Sequence, residues 1–243
     1  MSKANLLDVG LLPYAEALEL QRSLAAGVID GETEQTVILV EHPPVITTGR
    51  RTELETELHI PADAAVELTE TDRGGKSTYH APGQLVCYPI LDLTQHGKDV
   101  RRYVRDLERA IVDTLAAFDL EATTYDGLTG VWMPPSGARG PRKIASIGVR
   151  VKRWVTMHGY ALNVDLDPSP FTEWITACGL DDAEFTTMAR ELGRPLTVAE
   201  VKPAAAAALA DVFGLELGQA QAGAGRAAPR QAGTTSGLSV HAR

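Results

Sequence analysis

The sequence predicts a single α/β (α+β) domain, built as one mixed sheet flanked by helices. Helical and strand patterns alternate along the chain, and two neighbouring strand patterns read as a hairpin. With 243 residues, of which 44% are hydrophobic, the chain has enough apolar material for one core. Because a hairpin joins antiparallel strands, a mixed sheet is favoured over a strictly parallel one.

Helix patterns occur in three places. Residues 13–28 begin with a proline and carry leucines at helical spacing, and residues 98–118 place an apolar stripe on one face. Thr197 and Glu200 have the spacing of a capping box, which predicts the start of a final helix. Pro203 lies inside that helix and predicts a kink.

Strand patterns occupy the segments between these helices. Residues 36–40 (TVILV) and 85–91 (LVCYPIL) are short apolar runs. In residues 147–151 and 160–164 a large apolar side chain stands at every second position, and Lys152, Arg153 and Trp154 lie between the two runs. This arrangement predicts two adjacent strands joined as a hairpin.

Composition excludes several classes of protein. The chain has 32 acidic and 23 basic residues and a net charge of −9, which argues against a general nucleic-acid binder. No run reaches the roughly 18 apolar residues of a membrane span, and the first residues lack a signal-peptide core. Two cysteines, Cys87 and Cys178, fit a reducing compartment, so we expect a cytoplasmic protein without membrane contact.

The last segment of the chain differs from the rest. Residues 218–243 contain three arginines, no acidic residue and few large apolar side chains. Such a composition predicts a disordered C-terminal tail, because too little surface can be buried to offset the ordering entropy. The catalytic domain is therefore expected to span residues 1–217, with a net charge of about −12.

Familiar cofactor and metal motifs fail on inspection. The Gly-Lys-Ser at 75–77 lacks the first glycine of a phosphate-binding loop, where this chain has Glu70. The glycine-rich residues 223–228 follow no strand, so a dinucleotide site is not expected there. No histidine or cysteine pair has zinc-ligand spacing. The sequence thus predicts neither a cofactor nor a metal.

What remains is a set of glycine-rich or polar turns beside apolar strands. These are residues 73–84, 143–148, 158–163 and 177–179. Glycines let backbone amides approach a ligand closely, and such amides can hold a carbonyl or an oxyanion. Each segment alone is a weak signal, and Gly74-Gly75 could form only a tight turn.

Together these segments resemble the lipoate-pathway octanoyltransferases, relatives of the biotin and lipoate ligase catalytic domains. The resemblance covers residues 41–179 and consists of five segments in order: EHPPVITTGRR, DRGGKSTYHAPGQLVCYPI, RKIASIGVRV, HGYALNVD and ACGL. It implies transfer of an octanoyl group from acyl carrier protein to a lysine of lipoyl domains, through a cysteine thioester and without ATP or metal. The acceptors implied are the E2 subunits of 2-oxoacid dehydrogenases and the glycine cleavage H protein.

The resemblance also implies the site residues. Cys178 would be the nucleophile and Lys143 its partner. The substrate-binding residues would be Arg73, Gly74, Gly75, Lys76, Ser77, Thr78, Tyr79, His80, Ser146, Ile147, Gly148, Gly159, Tyr160 and Ala161. The chain departs from the family at two places: Ala81 stands where a glycine is usual, and Ala177 where a proline precedes the cysteine. If position 81 needs a positive φ, Ala81 would be strained.

Elementary chemistry supports these roles and leaves alternatives. A thiol suits acyl exchange with a thioester, and a neighbouring lysine could take up the thiol proton. Cys178 could instead be a small buried hydrophobe, and Lys143 a solvated strand end. For Cys87, in the middle of an apolar strand, the core interpretation is preferred. For His80 and His158, hydrogen bonding to the backbone is preferred over proton transfer.

Two other functions remain open. One is an ATP-dependent lipoate or biotin ligase of the same fold, which would need no cysteine nucleophile. The other is a non-catalytic module that binds an acyl carrier. Arg139 and Arg142 flank the expected site, and we expect them to contact an acidic carrier protein.

Overall fold

Helices and strands alternate through the computed structural model, which describes residues 1–175 and 184–219. The helices are α1 (Tyr14–Asp30), α2 (Leu54–Glu57), α3 (Val100–Ala116), α4 (Pro170–Glu173), α5 (Met188–Leu192) and α6 (Val198–Phe213). The strands are β1 (Ser2–Leu11), β2 (Gln35–Glu41), β3 (Val45–Thr48), β4 (Glu67–Glu70), β5 (Thr78–His80), β6 (Gln84–Ile90), β7 (Thr123–Tyr125), β8 (Leu128–Met133), β9 (Arg142–Lys152), β10 (Val155–Asn163), β11 (Glu184–Phe185) and β12 (Leu215–Gln219).

The main sheet is mixed, as the sequence predicts. Its strand order is β12-β1-β2-β6-β10-β9-β8-β7. β1 pairs with β12 and β2 in parallel, whereas β2–β6, β6–β10, β10–β9, β9–β8 and β8–β7 are antiparallel. The short strand β11 runs parallel to β9 at Arg142 and Lys143, where β10 no longer pairs with it.

Helices cover both faces of this sheet. α3 and α6 pack against one face over a large apolar cluster that includes Leu107, Ile111 and Leu209. α1 covers the other face over a second cluster. The predicted capping box is confirmed, since Thr197 and Glu200 bond each other's backbone amides at the start of α6. The helix continues through Pro203 as one element.

A smaller sheet lies beside the main one. Its strand order is β4-β3-β5, and it covers a third apolar cluster. Within that cluster the rings of Phe171 and Phe185 stack with centroids 4.5 Å apart. The small sheet thereby holds the chain before Ile175 and after Glu184 against the same core.

The predicted hairpin is confirmed and forms the centre of the main sheet. β9 and β10 are joined at Arg153 and Trp154, whose φ angles are 51° and 68°. Two consecutive positive φ values are typical of a type I′ turn, whose twist matches that of the paired strands. Lys98 Nζ lies 5.1 Å from the centre of the Trp154 ring, so a cation–π contact covers this turn.

The ends of the described chain meet in the sheet. β12 pairs with β1 through Gln219, so ordered pairing extends two residues beyond the boundary expected at residue 217. The remaining residues of the predicted tail, 220–243, lie outside the described residues. Among residues 1–175 and 184–219, no helix combines the length and the apolar character needed to cross a membrane.

Candidate active site

A pocket of about 350 Å³ opens on the α1 side of the main sheet. The β9–β10 hairpin, the segment 73–80 and the first turn of α1 enclose it. Thirteen of the sixteen residues expected at the site line it: Arg73, Gly75, Lys76, Ser77, Thr78, His80, Lys143, Ser146, Ile147, Gly148, Gly159, Tyr160 and Ala161.

The other three expected residues are not in this lining. Gly74 borders a neighbouring groove that also contains Arg50, Arg150 and Lys152. Tyr79 points into the third cluster, where its ring contacts Phe171 and Trp174. Side chains alternate along β5, so Thr78 and His80 face the pocket and Tyr79 does not. Cys178 lies outside the described residues.

The structure adds lining residues that the sequence did not indicate: Tyr14, Arg51, Val86, Tyr88, Gly127, Leu128 and Thr129. The sequence pattern could have indicated two of them, Val86 and Tyr88. On β6, Leu85 and Cys87 face the large cluster, so the alternate residues Val86 and Tyr88 must face the pocket side. Cys87 is fully buried in that large cluster, and burial raises the pKa of its thiol, which confirms the core interpretation.

Strand register brings two of the sequence motifs together. Ser146, Ile147 and Gly148 of β9 lie directly opposite Ala161, Tyr160 and Gly159 of β10. Gly159 is required by packing: a Cβ atom there would lie 2.2 Å from the Cys87 carbonyl oxygen. The glycine therefore lets β10 approach β6 closely and keeps this wall of the pocket flat.

Lys143 is a buried amine at the wall of the pocket. Its residue is 2% exposed, its Nζ donates to the Thr129 carbonyl at 3.1 Å, and it lies 5.1 Å from the Trp132 ring centre. Gly130, at φ 122°, makes room for it, because a Cβ there would lie 2.9 Å from the Lys143 Cε. The alternative interpretation of Lys143 as a solvated strand end is therefore wrong.

The chain that follows residue 183 is fixed beside this lysine. Phe185 pairs with Lys143 across β11 and β9, and the Thr186 amide donates to the Lys143 carbonyl at 3.0 Å. On the other side of residues 176–183, Ile175 forms a bridge with Leu58. The described chain therefore resumes after residue 183 next to Lys143.

Arg73 organises the glycine-rich loop at the pocket. Its guanidinium donates to the Lys76 carbonyl at 2.7 Å and to the Thr47 carbonyl at 2.7 Å. These bonds tie residues 73–76 to β3, and an ion pair joins Lys76 to the buried Glu57. A nearly buried arginine thereby places positive charge beneath the pocket.

Three buried histidines lie at the inner end of the pocket: His80 and His158 line it, and His42 packs behind them against the His80 ring. Burial lowers the pKa of His42 to about 4 and the pKa of His80 to about 3. Burial, together with the cations Arg73 and Arg150, lowers the pKa of His158 to about 3. All three imidazoles are therefore neutral at neutral pH.

His158 is part of a directed hydrogen-bond chain. Its Nε2 lies 3.2 Å from an Asp72 carboxylate oxygen, which can only accept, so Nε2 carries the proton. Nδ1 then accepts from the Tyr14 hydroxyl at 3.5 Å. An ion pair with Arg150 holds Asp72 in place. Burial raises the pKa of Tyr14 to about 12, so this hydroxyl remains a donor. The expected hydrogen bonding of the His80 and His158 rings to the backbone is wrong, because these rings bond the side chains of Gln84, Tyr14 and Asp72. The backbone amide of His158 donates to the Gln21 side chain at 2.8 Å.

The structure differs from two expectations drawn from the sequence, at Ala81 and at Arg142. Ala81 does not adopt a positive φ; that conformation belongs to Gly83, at φ 89°, so Ala81 carries no such strain. Arg142 does not reach the surface to contact a partner. Arg142 is 2% exposed, and its guanidinium makes two 2.9 Å bonds to Glu191. Only Arg139 of that pair is exposed, and it forms an ion pair with Glu184.

Lipoate protein ligases of known structure share this fold. The fold matches a bi-partite lipoate protein ligase from Thermoplasma acidophilum with a TM-score of 0.70, at 14% identity, over 90% of this chain and 87% of that chain. The molecule thus has the fold of a lipoate ligase catalytic domain, with the pocket on the α1 side of its main sheet.

The amino-acid sequence defines the family more narrowly than the fold does. Residues 13–210 match the lipoyl protein ligase A/B catalytic domain family. An octanoyltransferase from Geobacter sulfurreducens is 47% identical over 85% of this chain and 83% of its own length. An octanoyltransferase from Mycobacterium tuberculosis is 46% identical over 86% of this chain and 87% of its own length. The chain therefore belongs to the octanoyltransferases of the lipoyl protein ligase A/B catalytic domain family, and it is an acyltransferase.

Proposed function

We propose that this protein transfers an octanoyl group from octanoyl-acyl carrier protein to the lysine of lipoyl domains, through a thioester on Cys178, in the cytoplasm. The acceptors are lipoyl domains of 2-oxoacid dehydrogenase E2 subunits and the glycine cleavage H protein. The observation that carries the proposal is the buried Lys143 amine on the pocket wall, beside the strand to which the Cys178 segment leads.

The first half of the reaction loads the enzyme. The Cys178 sulfur attacks the carbonyl carbon of the donor thioester, a new carbon–sulfur bond forms, and the carrier thiolate leaves. Lys143 takes the proton from the Cys178 thiol and returns it to the departing thiolate. No cofactor, metal or ATP enters this balance, because one thioester replaces another.

The second half delivers the acyl group. The acceptor lysine attacks the Cys178 thioester as a neutral amine, the amide bond forms, and Cys178 leaves as a thiolate. The amine loses one proton in this step, and Lys143 accepts it and passes it to the cysteine. A buried amine beside both reacting groups suits this exchange in each direction.

The pocket supplies binding energy for the acyl chain. Val86, Leu128, Ile147 and Ala161 give it an apolar lining below the polar loop at 73–78. Each methylene removed from water contributes about 0.8 kcal/mol. An octanoyl chain lying along these side chains would be held while its carbonyl stays near Lys143.

Mass spectrometry of the intact protein tests the proposal. After incubation with octanoyl-acyl carrier protein and no acceptor, the chain should gain one octanoyl group, removable by hydroxylamine. Cys178→Ala should abolish both labelling and transfer. Cys87→Ala is the matched control: its side chain is buried in the core, so labelling should persist.

Three results would contradict the proposal. Transfer by Cys178→Ala at a rate near that of the native chain would mean direct attack by the acceptor lysine. Transfer from free octanoate that depends on ATP would mean a ligase. Binding of the acyl carrier without any turnover would mean a carrier-binding module.

A further inference from the structure

A row of hydrogen bonds leads from the pocket to the chain that follows the Cys178 segment. His80 lines the pocket, and its Nδ1 lies 2.7 Å from the Gln84 Oε1. Gln84 Nε2 lies 2.9 Å from the Asn163 Oδ1, and Asn163 Nδ2 lies 3.0 Å from the Thr186 carbonyl oxygen. His80, Gln84 and Asn163 are all buried.

Two backbone carbonyl groups, those of Thr186 and Tyr79, fix the direction of every hydrogen bond in this row. The Thr186 carbonyl can only accept, so Asn163 must present its amide nitrogen there and its oxygen to Gln84. Gln84 must then present its nitrogen, which also lies 3.3 Å from the Tyr79 carbonyl, a second pure acceptor. The Gln84 oxygen is left to face His80. Nδ1 of His80 is therefore the protonated nitrogen, and Nε2 carries the lone pair.

Nε2 of His80 has no hydrogen-bond partner within residues 1–175 and 184–219. A neutral imidazole with this tautomer offers the pocket an acceptor and no donor. The octanoyl thioester has only acceptors at its reacting end, so it cannot bond to this nitrogen. The acceptor lysine, as an amine, brings N–H donors to the same place during the second half of the reaction.

We propose that His80 Nε2 accepts a hydrogen bond from the amine of the incoming lysine, and that Gln84 and Asn163 are positioning residues that fix its tautomer. The inference rests on the proposed thioester mechanism and adds the group that receives the second substrate. The bond orients the nitrogen lone pair of the amine towards the thioester carbon, while Lys143 handles the proton. Because Asn163 bonds Thr186, whose amide bonds Lys143, the same row aligns the two sides of the pocket.

Nuclear magnetic resonance of ¹⁵N-histidine in the intact protein tests the tautomer. In the native chain, His80 should show a protonated Nδ1 and an unprotonated Nε2. Gln84→Met, which removes both amide atoms at nearly constant volume, should give a mixture of tautomers. A native His80 protonated at Nε2 would overturn the inference without any variant.

Rates of the two half-reactions test the role. In Gln84→Met, octanoylation of the enzyme should stay within about twofold, whereas transfer from the octanoyl-enzyme to a lipoyl domain should fall about tenfold, as expected for one hydrogen bond. Gln21→Met is the matched control, a second fully buried glutamine that bonds His158 and lies outside this row. It should preserve the ratio of the two rates.

The outcomes separate this inference from the proposed function. An equal fall of both half-reactions in Gln84→Met, or an unchanged second half with a mixed tautomer, would overturn the role of His80. Absence of any octanoyl adduct on the native enzyme would instead overturn the thioester mechanism itself. Should Gln84→Met not fold, Asn163→Leu, which removes the acceptor of Gln84 at similar volume, should slow the second half-reaction and not the first, and the tautomer of the native chain remains a separate test.

Discussion

The Tyr88 hydroxyl donates to Nε2 of His42 across 2.8 Å. The direction is fixed because Nδ1 of His42 lies 2.7 Å from the Leu12 carbonyl, which can only accept and therefore takes the Nδ1 proton. Protonation of His42 at Nε2 would remove its acceptor and leave the buried Tyr88 hydroxyl without that partner. The inner end of the pocket is thus built from hydrogen bonds that require neutral histidine.

Stability should therefore fall as the solution becomes acidic. The folded pKa values of His42, His80 and His158 are about 4, 3 and 3, below the ordinary value of 6.5. Below pH 6.5 the unfolded chain binds protons that the folded chain does not, so the fold loses about 1.4 kcal/mol per pH unit for each histidine. The loss stops near the folded pKa values.

Urea unfolding at pH 7.5, 6 and 5 measures this loss. Ion-paired carboxylates such as Glu191 add little in that range, because the bonds to Arg142 hold the pKa of Glu191 below its ordinary value. An equal free energy of unfolding at pH 7.5 and 5 would contradict the neutral cluster.

Replacement of Lys143 should remove activity and keep the fold. Lys143→Met retains much of the buried volume and removes the amine, so octanoyl transfer should fall by about 10² or more. Lys143→Arg should also fail, since a guanidinium cannot take up a proton and has little room beside Gly130. Lys152→Met, at the exposed end of the same strand, is the control and should transfer at the native rate. A native rate for Lys143→Arg would leave the lysine only an electrostatic role.

Gly159→Ala should destabilise the protein at the centre of the sheet. The new methyl group would lie 2.2 Å from the Cys87 carbonyl oxygen and 2.8 Å from the Pro89 ring, so β10 and β6 would have to separate. We expect a loss of roughly 1–3 kcal/mol, measured by thermal unfolding. Gly140→Ala meets no atom within 4 Å and should change stability by less than about 0.5 kcal/mol. Equal melting temperatures would show that the strands tolerate a side chain there.

Truncations should distinguish the last strand from the residues beyond it. Removal of residues 220–243 takes away a polar, glycine-rich and alanine-rich segment and should leave melting temperature and transfer rate nearly unchanged. Removal of residues 215–243 also deletes β12, uncovers the edge of β1 and takes the buried Leu215 out of the large cluster. That shorter chain should melt at a clearly lower temperature. A large loss of activity on removing only 220–243 would mean that this segment contributes to the site.

The elements predicted from sequence are those with a strong local pattern. The stripe of α3, the capping box of α6 and the alternation across the β9–β10 hairpin each depend on neighbouring residues, and all three are present. β1 was missed because its sequence lacks a strand pattern and its order comes from distant partners on both sides. The small sheet was missed for the same reason, since β4 and β5 are short and pair only through β3.

The site residues that could be predicted are likewise those with a local sequence pattern. Glycine-rich motifs indicated where backbone lines the pocket, and the hairpin register explains why two of them face each other. Tyr14 and Thr129 could not be predicted, because their place in the pocket depends on how α1 and the start of β8 pack over the sheet. The orientation of Tyr79 could not be predicted either: a motif does not reveal which face of a short strand each residue occupies, and this side chain packs in the third cluster.

The place of β1 between β2 and β12 has a consequence for biosynthesis. The pairing of β1 with β2 can form once residue 41 has been made, but its opposite edge has to wait for residues 215–219. At ribosomal rates of about 5–20 residues per second, that edge stays open for roughly 10–35 s. A nascent chain therefore spends most of its synthesis with an unpaired strand that can template association with other chains. Molecular chaperones that bind extended segments would act during this interval, before the last strand closes the sheet.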